Sequence, residues 1–213
     1  MPRIYDRALG VPVLMLLISL VAADSTMAQP GTPSAYPAAP DPSECIVEPA
    51  SIEEIAAILG TPVAELTDSG TPFVPPAGEP VDPDTSAEVI ATLHQVFACA
   101  NAADPLRVAS LFTEDFVRVF FRGVPLEDLL EFLAIPPQPL PTDQRRIIIR
   151  LGEVQMLPDG RTGVGIVLDE PADPRTEEPE YVILEHVEGR WLVDELHEDG
   201  GTAGTHVAGT PAA

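Results

Sequence analysis

The sequence predicts an α+β domain in which helices are segregated to one face of an antiparallel sheet. Apolar residues recur at helical spacing as far as residue 133, and from residue 145 they alternate with polar ones. The turns between the alternating runs are short, which makes neighbouring strands antiparallel.

The elements follow in order. Ser51 with Glu54 has the form of a capping box, and Ile52, Ile55, Ile58 and Leu59 share one face before Gly60, so a short amphipathic helix is expected. Asp82-Pro83 or Thr85 opens the longest helix, to about Asn101. Val89, Ile90, Leu93, Val96, Phe97 and Ala100 fill one arc of it, flanked by His94 and Cys99. Asp104 before Pro105 reads as a cap and first helical residue, and Leu106, Ala109, Ser110 and Phe112 carry that helix to about Thr113. Residues 116–121, rich in Val and Phe, read as a strand. A further helix starts near Pro125, presents Leu126, Leu129, Leu130 and Leu133, and stops at Pro136-Pro137. Residues 145–156, 162–168, 181–187 and 190–196 are four expected strands of a meander. Pro158-Asp159-Gly160, an acidic loop over 169–180 and Glu188-Gly189 join them.

The chain ends have a different character. Arg3 and Arg7 precede an uncharged stretch over residues 8–23, and Met27-Ala28-Gln29 offers a cleavage point after Ala28, so residues 1–28 read as a signal peptide. The uncharged run is shorter than the roughly 20 residues that a bilayer span needs, so no stable membrane insertion is expected after cleavage. Residues 29–44 form a proline-rich linker with Pro30, Pro33, Pro37, Pro40 and Pro42, and residues 45–83 a cover segment carrying the short helix. Residues 84–198 form the main domain, and residues 199–213 are expected to be a disordered tail. The export signal makes the expected location secreted or extracytoplasmic. In that compartment Cys45 and Cys99 are expected to form a disulfide, which would hold the short helix over the long one.

The net charge of −23, with no lysine among the basic residues, repels phosphate backbones and anionic lipid heads. Nucleic acid is therefore not an expected partner.

Residues 99–104 (CANAAD) followed by 111–116 (LFTEDF) resemble the helical opening of the nuclear transport factor 2-like superfamily, and residues 188–193 (EGRWLV) resemble its closing strand. The resemblance spans residues 82–198. It implies a curved sheet wrapped around helices as a cone-shaped, cystatin-like roll, with a pocket inside and a homodimer across the outer sheet face. The superfamily includes ketosteroid isomerase and polyketide cyclases, whose pocket acid lies on the first strand, five residues after the Asp matching Asp115. That position is Phe120 here, and a benzyl ring takes no proton.

The expected pocket residues are Leu93, His94, Phe97, Leu111, Phe116 and Phe120. His94 is weighed as an acid or base against a partly buried structural histidine, and Asp104 as half of a pocket dyad against a helix cap. His186, Glu195 and His197 have the right chemistry for zinc or copper but no tight ligand spacing, so no metal is expected. The acids Asp169, Glu170, Asp173, Glu177, Glu178 and Glu180 read as a solvated loop, and Trp191 as core or dimer contact. No cofactor motif is present. The function expected is non-catalytic: binding a small apolar molecule in the pocket, or acting as an interaction module. The alternative is an isomerase or dehydratase using a pocket His or acid.

Overall fold

The Ser51 hydroxyl accepts from Glu54 N at 3.1 Å while Glu54 Oε2 accepts from Ser51 N at 2.7 Å, closing the capping box that opens α1 (Ile52–Leu59). Asp82 caps α2 (Pro83–Asn101) by accepting from Asp84 N and Thr85 N, each at 3.0 Å, with Pro83 in the first turn. Asp104 caps α3 (Pro105–Ala109) in the same way through Arg107 N at 3.1 Å. The computed structural model describes residues 39–60, 73–169, 171 and 179–198, which belong to one unit of the chain. The leader, most of the linker, residues 61–72, most of the acidic loop and the tail lie outside the described residues.

Helix α3 ends at Ala109 rather than near Thr113, because residues 111–113 turn to pair with the last strand. The strand expected over residues 116–121 is a helix, α4 (Glu114–Phe120). Val and Phe favour strands, but the local chemistry here favours a helix. Thr113 Oγ1 accepts from Phe116 N at 3.1 Å, Glu114 and Asp115 lie in the positive first turn, and Arg118 pairs with Asp115 at 2.6 Å and with Glu114 at 3.1 Å. Phe120 therefore stands on a helix, and its equivalence to a first-strand acid falls away. Helix α5 (Leu126–Leu133) buries Leu129 and Leu133 and ends before the paired prolines, as expected.

The sheet has six antiparallel strands: β1 (Glu79–Pro80), β2 (Ile147–Leu151), β3 (Gln155–Met156), β4 (Thr162–Asp169), β5 (Pro179–Val187) and β6 (Arg190–Glu198). The strand expected over residues 145–156 is split into β2 and β3, which pair with β4 one after the other along the same edge. The break lies at residues 152–154, where Gly152 N donates to Gly165 O at 2.7 Å and a Cβ on Gly152 would press on that oxygen at 3.1 Å. β1 lies in the cover segment, for which only the short helix is expected, and it extends the edge through β3. Glu188 and Gly189, with φ of 49° and 82°, make the two-residue turn between β5 and β6.

Cys45 and Cys99 form the expected disulfide, both buried, with a Cα separation of 4.7 Å. Around it the N-terminal segment lies along α2: Ile46 N donates to Gln95 Oε1 at 3.1 Å, and Gln95 Nε2 donates to Glu44 O at 2.9 Å. Helix α1, expected over α2, packs instead against α4 and α5, where Ile55 is buried and Arg118 Nε donates to Ile58 O at 3.0 Å. The bridge fastens the extended segment before α1, and α1 then follows its own apolar face.

Asn101, at 0 % exposure, closes the C-terminal end of α2. Its Nδ2 donates to Pro40 O at 3.0 Å and Arg146 O at 3.1 Å, while its Oδ1 accepts from Arg146 N at 2.8 Å. One side chain thus ties the N-terminal segment, the long helix and the entry to β2. The core lies between the helices and the inner sheet face, where Val89, Leu93 and Phe97 meet Val164, Ile166, Val182, Leu184 and Val193.

Candidate functional site

Phe112 pairs in parallel with Val193 of β6, held by Thr113 N donating to Val193 O and Val193 N donating to Leu111 O, each at 2.9 Å. From that fixed point the chain enters α4, so a spacing of four brings Phe112, Phe116 and Phe120 together. Their ring centroids lie 4.8 Å (Phe112 to Phe116), 5.2 Å (Phe112 to Phe120) and 6.1 Å (Phe116 to Phe120) apart, and Phe121 meets Phe120 edge-on at 5.0 Å. Leu93, Phe97 and Leu111 belong to the same core, with Phe120 half-buried at its margin. Leu93, Phe97, Leu111 and Phe116 of the expected pocket set thus lie in the core, and Phe120 packs against it. His94, half-buried on α2, has its Nε2 3.6 Å from Glu44 Oε2 of the N-terminal segment. Phe112 was outside the expected set, and its signal is the i, i+4, i+8 run with Phe116 and Phe120, which is legible only when residues 114–120 are helical.

A polar network occupies the outer sheet face, where the register sets Tyr181 opposite His197 and Ile183 opposite Glu195. The register shift in that ladder leaves Asp194 as an extra residue. Its Oδ1 accepts from Thr113 Oγ1 at 2.8 Å and its Oδ2 from Arg161 Nη1 at 2.6 Å. Arg161 also donates to Asp159 Oδ2 at 2.9 Å and to Glu195 Oε1. Partial burial works against the Arg161 charge, but the bonds to Asp159, Glu195 and Asp194 outweigh it and raise its pKa above the ordinary value. The His197 ring lies 2.7 Å from Glu195 Oε2 through Nε2 and stacks face-on with Phe73 at 3.6 Å. Tyr181 lies over Gly163, where any Cβ would collide with its hydroxyl, and burial pushes its pKa up. Tyr181 Oη and His197 Nδ1 are buried without a hydrogen-bond partner among the described residues.

Glu195 is held below the ordinary glutamate pKa, first by the bond from His197 and, against the opposing effect of burial, by Arg161. A carboxylate lowered in the folded state stabilises the fold fully above its unfolded pKa, and that contribution is lost as pH falls through the folded value. Stability is therefore expected to decline below about pH 4, the ordinary carboxylate range. Urea melts between pH 3 and pH 7 should show a shallower decline for Glu195→Gln than for the parent; an unchanged slope would remove Glu195 from the account.

Glu195 and His197 are brought together as their positions on one hairpin allow, but His186 is not, its ring lying 4.9 Å from Trp191. Trp191 is buried and donates from Nε1 to Glu88 Oε2 at 3.3 Å, a structural placement. Asp104 is the α3 cap, with Arg107 Nη1 3.5 Å from its Oδ2. Among the described residues no group of three His, Cys, Asp or Glu side chains is arranged to hold a metal ion. The outer network is a cross-linked staple of committed charges, and the inner cluster is an aromatic surface. No family model matches the chain, and neither does any curated protein or solved structure.

Proposed function

We propose that the chain is an extracytoplasmic, non-catalytic domain that takes a small apolar molecule between its helices and the inner face of a curved, cone-shaped sheet of the nuclear transport factor 2-like kind. The observation that carries this reading is the group of phenylalanine rings where α4 meets β6, half-open at Phe120. Aromatic walls of this sort give a small apolar ligand contact area at low entropic cost. Export rests on the leader pattern over residues 1–28, and the buried Cys45–Cys99 bridge suits an oxidising compartment. No helix among the described residues is long and apolar enough to cross a membrane.

An isomerase or dehydratase needs an acid or base at the reacting atoms. His94, the titratable member of the expected pocket set, has its Nε2 3.6 Å from Glu44 Oε2, an ion-pair geometry that favours a structural role and so binding over catalysis. The outer sheet face, expected as a homodimer surface, carries Val167 and Ile183, both already buried within the single chain. The binding reading therefore does not call on a second copy.

N-phenyl-1-naphthylamine serves as a neutral probe. Saturable fluorescence enhancement at one probe per chain is expected, with a Tm that rises with probe concentration and weaker binding in Phe120→Ala. A linear, unsaturable signal with an unmoved Tm would overturn the reading.

A further inference from the structure

Thr162 is 0 % exposed, and its hydroxyl has no hydrogen-bond partner among the described residues. It shares parity along β4 with Val164, which lies in the core, whereas a Cβ on Gly163 would meet Tyr181 on the outer face. The Thr162 hydroxyl therefore stands on the inner face. Register carries it further: Thr162 is opposite Leu184, Leu184 opposite Val193, and Val193 is bridged to Phe112. One row of inward side chains thus runs from Thr162 across β5 and β6 to the phenylalanine cluster. With strands about 4.8 Å apart, that row is about 14 Å from backbone to backbone, and the buried side chains of Leu184 and Val193 line it between its ends.

A buried hydroxyl without a partner costs free energy that valine, of the same shape, would not. Buried polar atoms are rarely left unpaired in folded proteins, and an orphan in an otherwise apolar wall is completed from outside the chain, by a water or by a ligand group. We infer that Thr162 is the polar anchor of the interior site, so that the molecule taken is an amphiphile with an apolar body against the Phe112 cluster and one hydroxyl or carbonyl group at Thr162. A hydroxyl serves as donor or acceptor, so either group satisfies it. This inference rests on the proposed binding of an apolar molecule, and it adds the ligand's chemical class.

The probes that separate the two are 2-naphthol and 2-methylnaphthalene, nearly equal in size and differing by a hydroxyl against a methyl. The protein should bind 2-naphthol about tenfold more tightly, the discrimination that one buried hydrogen bond supplies. Thr162→Val should bring the two affinities together. A single cooperative melt, with Tm raised by about 3 °C through loss of the orphan hydroxyl, would establish that the variant is folded. If both probes bind the parent equally, or Thr162→Val leaves the preference intact, a buried water satisfies Thr162 and the anchor is wrong while the binding reading stands. If neither probe binds, the binding reading itself fails.

Discussion

Replacing both Cys45 and Cys99 by alanine is expected to lower stability by about 4 kcal/mol. The bridge closes a loop with a sequence separation of 54, and closing such a loop removes about that much conformational freedom from the unfolded chain. For a domain of this size the loss corresponds to a fall in Tm of about 10 °C. The folded form should survive it, because Gln95 still holds Glu44 and Ile46, and Asn101 still holds Pro40. Differential scanning calorimetry of the double variant, and of the parent with and without reductant, should give matching shifts. A Tm that does not move would mean that the N-terminal segment is held by its hydrogen bonds alone.

Asn101→Leu is expected to be comparably damaging, at about 4 kcal/mol. The substitution removes three hydrogen bonds made by a fully buried side chain, those to Pro40 O, Arg146 O and Arg146 N. Each lost bond is worth about 1 kcal/mol, and each stranded group adds a desolvation cost that leucine cannot relieve. Denaturant melts should show a lowered midpoint with an unchanged slope, and amide exchange should accelerate at Arg146 and the start of β2. Loss confined to a few tenths of a kcal/mol would show that Asn101 is not the joint between the three segments.

Much of the fold is legible where a short polar side chain decides a local boundary. Ser51, Asp82 and Asp104 each announce a helix start, because an N-cap is a contact within three residues and needs no tertiary information. The Glu188-Gly189 turn and the flanking strands are legible for the same reason, since alternation and a two-residue turn are local. The bridge between Cys45 and Cys99 follows from compartment and from there being two cysteines. Residues 114–120 are ambiguous in sequence because Val117, Val119 and the phenylalanines satisfy both strand propensity and helical spacing, and only the Thr113 cap beside them favours the helix. The split between β2 and β3 depends on Gly152 meeting Gly165, a contact across the sheet that no window along the chain displays. The packing of α1 on α4 and α5 is likewise a tertiary choice, made by which apolar faces remain uncovered.

The burial of the candidate site's apolar residues is legible for the same physical reason. Leu93, Phe97, Leu111 and Phe116 are apolar residues on faces that spacing assigns to the interior, and all four are buried. Phe112 escaped notice because its role depends on α4 being helical and on its bridge to Val193. Thr162 carried no signal in sequence at all: a threonine in a strand is ordinary, and only burial with an unpaired hydroxyl distinguishes it. The outer network of Arg161, Asp194, Glu195 and His197 depends on the β5–β6 register and its irregularity, neither of which side-chain identity reveals.

An isotope-edited NMR experiment on the full chain saturated with 2-naphthol reaches the heart of the account. Cross-relaxation should link the naphthol protons to the rings of Phe112, Phe116 and Phe120 and to the methyl groups of Leu93 and Val193. Contacts limited to exposed Phe132 and Ile135, or none at all, would contradict the claim that the space between helices and sheet receives a ligand.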